Sequence, residues 1–186
     1  MDHLIVDALR DLLTGQCTPA VVRAIEKEAE IEAGRAQTAQ NTKTSGPAAE
    51  LWAQIEATGF ADLLLPEAAG GAGLALRDAF AVWDLLGQAA MPLPLAETML
   101  ARAWLAAAGV EVPQGAIALA PQLHSVAGQL RAAGVRGAQV AQWVLAAQGD
   151  RLYLLPLAAA TLSPSIFVLD ADVAWPAEAL ASAASF

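Results

Sequence analysis

Residues 51–80 read LWAQIEATGFADLLLPEAAGGAGLALRDAF and residues 81–109 continue AVWDLLGQAAMPLPLAETMLARAWLAAAG. The order of apolar periodicity and chain breakers in this stretch decides the architecture. Just upstream, Pro47 follows Ser45 and Gly46 and suits the first position of a helix, where a missing N–H costs no hydrogen bond. Leu51, Trp52 and Ile55 then share one helical face, and Gly59 supplies a residue able to leave the helix left-handed. A short apolar run over 60–65 ends at Pro66. Gly70, Gly71 and Gly73 follow almost at once, and glycine there permits positive φ and close backbone approach. A second helical pattern covers 76–86, with Ala79, Val82, Trp83 and Leu86 on one face. Met91-Pro92-Leu93-Pro94 then imposes extended backbone, because a residue preceding proline avoids the α region. A third helix is predicted over 95–108, with Leu100, Ala103, Trp104 and Ala107 as its buried stripe and Gly109 and Pro113 ending it.

Upstream, Leu4, Ile5, Ala8, Leu9 and Leu12 fall at helical spacing, and Gly15 is expected to stop that helix. Thr18-Pro19, a capping residue followed by proline at the first helical position, starts another. Val21, Val22, Ile25 and Ala29 form its apolar face, while Glu26, Lys27, Glu28 and Glu30 read as a solvated face. Residues 34–46 are polar and nearly free of large apolar side chains. They read as a mobile connector, with a frayed extension of the preceding helix as the alternative.

Downstream of Gly109 the periodicity changes. Short apolar or alternating runs occupy 116–120, 140–147 and 152–155, and Gly149-Asp150 between the last two is a type II′ hairpin signal. A further strand is predicted over 166–169, after Ser163-Pro164. Trp175-Pro176-Ala177-Glu178 reads as the first turn of another helix. The fold class is therefore α+β. An N-terminal all-α domain (1–112) precedes a small, mainly antiparallel β domain (113–175), and 176–186 begins a helical segment that stops short.

A chain of 186 residues can bury a real core. Its net charge of −9 argues against a phosphate backbone as partner, which needs clustered Lys and Arg. No apolar run is long enough to span a membrane and no signal peptide opens the chain, so a cytoplasmic protein is expected. The single cysteine, Cys17, rules out an internal disulfide and a Cys-rich metal site, and without a nearby His it reads as a packed thiol. No metal is expected. Gly70-Gly71-Ala72-Gly73 matches neither GxGxxG nor a GK[ST] ending, so it reads as a tight structural turn. Leu74-Ala75 leaves the following helix without a side-chain N-cap, at a cost of about 1 kcal/mol.

The Trp-bearing helix, the Gly-aromatic step, the apolar run to Pro66-Glu67 and the Gly-Gly-Ala-Gly-Leu loop together resemble the start of an acyl-CoA dehydrogenase. Leu86-Gly87 before a Pro-x-Pro turn and an Ala-rich helix is similar to one branch of that family. The resemblance implies an N-terminal helical domain, a β-rich middle domain and a C-terminal helical bundle that these 186 residues do not reach. The protein is thus expected to be a truncated member or a portion of a longer one. It also implies FAD-dependent α,β-dehydrogenation of an acyl-CoA thioester, of fatty-acyl or steroid type. The alternative is a non-catalytic partner subunit, or a binding or scaffold domain, of a heteromeric acyl-CoA dehydrogenase, and homo- or hetero-oligomers are expected.

By the same resemblance, the family's Thr-Glu-Pro loop and later Ser place cofactor contacts at Ala120, Gln122 and Ser125. Here Ala120 stands at the threonine position and Pro121-Gln122 replace Glu-Pro, while His124 reads as a surface residue. The acyl pocket falls on Gln88, Ala89, Ala90 and Met91, small residues and an adaptable methionine. Plain helix–helix packing is the competing reading of those four. No residue carries over as the catalytic base. Glu67, Asp78, Asp84 and Glu97 read as surface or helix-end charges.

Overall fold

The computed structural model describes residues 3–34 and 45–186; most of the expected connector lies outside them. Five helices come first: α1 (His3–Gln16), α2 (Pro19–Ala33), α3 (Pro47–Ala57), α4 (Leu76–Gln88) and α5 (Leu95–Ala107), with 3-10 turns at Phe60–Asp62 and Glu67–Ala69. The β part holds β1 (Ile117–Ala120), β2 (His124–Val126), β3 (Gln129–Val135), β4 (Trp143–Gln148), β5 (Arg151–Pro156), β6 (Thr161–Pro164) and β7 (Ala171–Pro176). A one-turn helix α6 (Ala179–Ser182) and the short strand β8 (Ala184–Ser185) close it.

Local signals act as their chemistry dictates. Thr18 caps α2, its side chain accepting from the Val21 amide at 3.4 Å, and Pro19 opens the first turn. Gly59 turns out of α3 with φ 74°, and α4 begins at Ala75 with no side-chain cap. In the glycine loop, a Cβ on Gly71 would run into the Leu65 Cβ and carbonyl. Gly15, in contrast, does not stop α1. The helix continues to Gln16, with the Cys17 amide donating to Leu13 O at 2.9 Å, because one exposed glycine costs only about 1 kcal/mol and the effective stop is the residue before Pro19. Leu9 and Leu13 are buried on it, whereas Leu4 and Ala8 point outward.

The stripe expected on α5 is on the wrong face. Leu100 and Ala103 are only half-buried and Trp104 and Ala107 are exposed, while Leu95, Thr98, Met99, Ala101, Arg102 and Leu105 face inward. Residues 95, 98, 99, 102 and 105 keep helical spacing, but two are polar, and polar partners waiting across the interface are what turn the helix that way.

Two four-stranded sheets form, in the orders β1-β4-β5-β8 and β2-β3-β7-β6. Among the described residues β1 and β4 pair in parallel, and the other pairings are antiparallel. Gly149 has φ 64° while Asp150 does not enter the left-handed region, as a type II′ turn between β4 and β5 requires. Residues 166–169 make no strand. Pro164 pairs with Ala171 at the end of the β6–β7 ladder, so the intervening residues loop out, closed by Asp170 N to Phe167 O at 3.0 Å. Ile166 and Phe167 are left 93% and 69% exposed. Trp175 and Pro176 end β7 instead of starting a helix. Trp175 is fully buried and its indole N–H donates to Pro156 O at 2.9 Å. The helical turn comes later, at α6, and β8 then pairs with β5.

Helices and sheets share one core. Trp52, Leu93, Leu95 and Met99 pack in the same cluster as Ala118, Val144, Leu155 and Trp175. A second, smaller cluster joins Ala101 and Leu105 of α5 to Ile117, Leu145 and Leu154.

Candidate functional site

Polar clamps set the helical part against the β part. Arg102, 5% exposed, donates to Asp62 Oδ1 at 2.8 Å, Glu56 Oε1 at 2.6 Å and Gly115 O at 3.1 Å, with its guanidinium 5.9 Å from the Trp52 ring centroid. Glu56 Oε1 also accepts from the Gly115 amide at 3.0 Å. One turn earlier, the Thr98 hydroxyl accepts from Ile117 N at 2.9 Å and donates to Pro94 O at 2.7 Å. Three elements, α3, α5 and the approach to β1, are thereby held in one register.

That register fixes the α4–α5 connector. Helix α4 ends with Ala90 N donating to Gly87 O at 3.1 Å and Met91 N to Leu86 O at 3.0 Å, a Schellman pattern with Ala90 itself at φ 47°. Pro94 then meets Gly137, where φ is 67° and a Cβ would stand 3.2 Å from the proline ring. Asp170 Oδ1 accepts from the Gly137 amide at 3.1 Å, and Gln139 N donates to Leu169 O at 3.0 Å, which ties the two β-part loops together. Between connector and loops lies a cleft of about 420 Å³. Leu86, Ala90, Met91, Leu93 and Leu169 supply apolar wall, and Glu97, Arg136 and Asp170 supply charge.

The four predicted pocket residues divide. Ala90 and Met91 line this cleft. Gln88 and Ala89 instead line a separate cavity of about 350 Å³ beside Leu13, Cys17 and Leu85. The helix end makes that split, since the left-handed step at Ala90 sends successive residues to opposite sides. Gln88 Nε2 also donates to Asp84 Oδ2 at 2.7 Å. Cys17 is buried with Sγ 3.7 Å from Ala89 O, and burial pushes its thiol pKa up, as befits a packed, protonated group. Sequence reasoning missed Arg136 and Asp170 because their approach to the connector depends on two distant loops meeting. Gly137, beside Arg136, was the available sign of a close contact.

At the predicted cofactor positions, Ala120 is buried and carries no polar side-chain atom, while Gln122 and Ser125 are exposed. Ser125 Oγ accepts from Gln148 Nε2 at 3.3 Å, and the Leu123 amide between them is spent on Ala147 O at 2.7 Å. No buried polar atom at these positions awaits a ligand, and none of the three lines the cleft. As a set they do not fit a flavin. Among the described residues no cluster of His, Cys, Asp and Glu is arranged for a metal, and no helix is long and apolar enough to cross a membrane.

The order of helices, then a mostly antiparallel β part joined across a cleft, is the arrangement found in acyl-CoA dehydrogenases. The chain is similar to acyl-CoA dehydrogenase IpdE2 of Mycolicibacterium smegmatis, at 34% identity over 133 residues, covering 71% of this chain and 41% of that protein. No protein-family model matches it. Among solved structures, a variant of the Tcur3481-Tcur3483 steroid ACAD superposes with TM-score 0.63 at 20% identity, covering 94% of this chain and 54% of that one. The ChsE4-ChsE5 complex from Mycobacterium tuberculosis gives TM-score 0.53 at 14% identity, covering 95% and 54%. These likenesses concern the fold. The chain is a relative of the acyl-CoA dehydrogenase family, and it spans less than half the length of the curated relative it matches.

Proposed function

We propose that this chain supplies the helical wall and middle β part of an acyl-CoA dehydrogenase, holding the acyl end of a thioester against Ala90 and Met91. The cleft between the α4–α5 connector and the 136–137 and 169–170 loops carries this reading. It has an apolar wall on its connector side, it lies between the helical and β parts, and the family relation supplies the thioester. On this reading residues 1–112 and 113–175 are the two working parts. The residues' own contribution is to bind and orient: apolar wall excludes water around the acyl chain, and the Arg102 and Thr98 clamps keep the walls at fixed separation. FAD supplies the oxidising power in the family, and its contacts on this reading lie elsewhere than Ala120, Gln122 and Ser125.

A second reading is favoured by that poor donor set: the chain is a partner subunit that completes a thioester pocket in a heteromeric acyl-CoA dehydrogenase while another subunit carries flavin and base. Calorimetry with octanoyl-CoA tests the shared part. Binding to the purified chain, weakened by Met91→Trp with thermal stability preserved, is the expected result; no heat of binding, or unchanged binding in Met91→Trp, refutes it. The visible spectrum separates the two readings, since bound flavin that bleaches on adding octanoyl-CoA to this chain alone eliminates the partner reading.

A further inference from the structure

Arg136 is the cation among the residues lining the cleft, and among the described residues it makes no hydrogen bond or ion pair. Two acids line the same cleft. Asp170 accepts from the Gly137 amide, one residue beyond Arg136. Glu97 sits in the first turn of α5, where the helix N-terminus favours its charge. An exposed guanidinium with no partner among the described residues, at the edge of a cleft with apolar wall on its connector side, is matched by a planar or tetrahedral oxyanion. Glu97 and Asp170 in the same lining and the chain's net charge of −9 oppose an anion, so Arg136 is the group of this cleft that can hold one.

From this juxtaposition we infer that Arg136 is a specificity-determining residue which selects ligands bearing an oxyanion group, a carboxylate or a phosphate, on an apolar body lying along Ala90, Met91 and Leu169. Asp170 is a positioning residue: through Gly137 N it holds the turn that carries Arg136. The inference deepens the thioester reading and rests on it for the identity of the apolar body. Phosphate would come from the CoA portion of a thioester, carboxylate from an acidic group on the acyl portion or from a free acid.

Calorimetry with four probes, octanoate, octanol, free CoA and octanoyl-CoA, distinguishes these sources on wild type, Arg136→Gln and Arg136→Lys. Arg136 is exposed, so neither variant should disturb folding. With carboxylate as the group recognised, octanoate binds wild type more tightly than octanol by about tenfold, Arg136→Gln erases the margin and Arg136→Lys keeps part of it. With phosphate recognised, Arg136→Gln weakens CoA and octanoyl-CoA by a similar factor and leaves octanoate unchanged. Affinities within about twofold of wild type for every probe in Arg136→Gln overturn the inference. Octanoyl-CoA held at full strength by that variant keeps the thioester reading while removing Arg136 from it. Octanoate discriminated through Arg136 by a chain that ignores octanoyl-CoA does the reverse, and no binding of any probe to wild type overturns both.

Discussion

Replacing Arg102 with methionine removes the guanidinium on which the joint between the helical and β parts is built, while keeping a side chain of similar length. Three hydrogen bonds go, to Asp62, Glu56 and Gly115 O, together with the stack over Trp52. Removing one partner of a buried ion pair costs about 3–5 kcal/mol. Glu56 and Asp62 retain 25% and 30% of their side-chain surface in water, so water takes over part of what Arg102 did and the figure falls toward about 3 kcal/mol. For a chain of this size that lowers Tm by roughly 6–12 °C. Arg102→Lys keeps the charge but cannot reach both carboxylates and the carbonyl with one ammonium, so it should lose about half as much. Thermal and urea unfolding followed by tryptophan fluorescence measures the loss, and a double-mutant cycle with Glu56→Gln isolates the pair. A loss below about 1 kcal/mol in Arg102→Met, or full recovery in Arg102→Lys, would refute the claim that a forked donor holds this joint.

Two further outcomes follow from strain and burial. Ala127 stands at φ 49° beside Gly128 at φ 75° in the two-residue turn between β2 and β3, so Ala127→Gly should raise stability by about 0.5–1 kcal/mol; an unchanged or lower urea midpoint contradicts the turn. Cys17 has its thiol pKa raised by burial, so the folded state holds the proton after the unfolded chain has released it. Its contribution is complete below the ordinary thiol range and declines as pH rises through that range toward the folded value. Stability should therefore fall more steeply with alkaline pH in wild type than in Cys17→Ala, and parallel curves would show that the thiol is not desolvated.

The legible parts of this protein share a short range. Thr18-Pro19, Pro47, Gly59 and Gly149-Asp150 each dictate φ, ψ or a cap within about four residues, and each stands in the structure where its own chemistry puts it. The stretch 51–109 likewise carries its family likeness in the order of helices and breakers, and Ala90 and Met91 do line the cleft. Gln88 and Ala89 line the neighbouring cavity, because a single left-handed residue at the helix end reverses which side its neighbours face.

Amino-acid order alone determined the succession of helices and breakers in the first half, the β4–β5 hairpin, the net acidity and the kinship, since these depend on spacing and backbone preference along the chain. Only the tertiary structure decided the rotation of α5, the looping out of Ile166 and Phe167, and the meeting of Arg136 and Asp170 with the Pro-x-Pro connector. A helix with apolar residues on several sides turns toward its polar partners, and Thr98 and Arg102 find theirs on Ile117, Glu56 and Asp62. Those partners lie 19 to 46 residues away in the chain, beyond the reach of any local pattern.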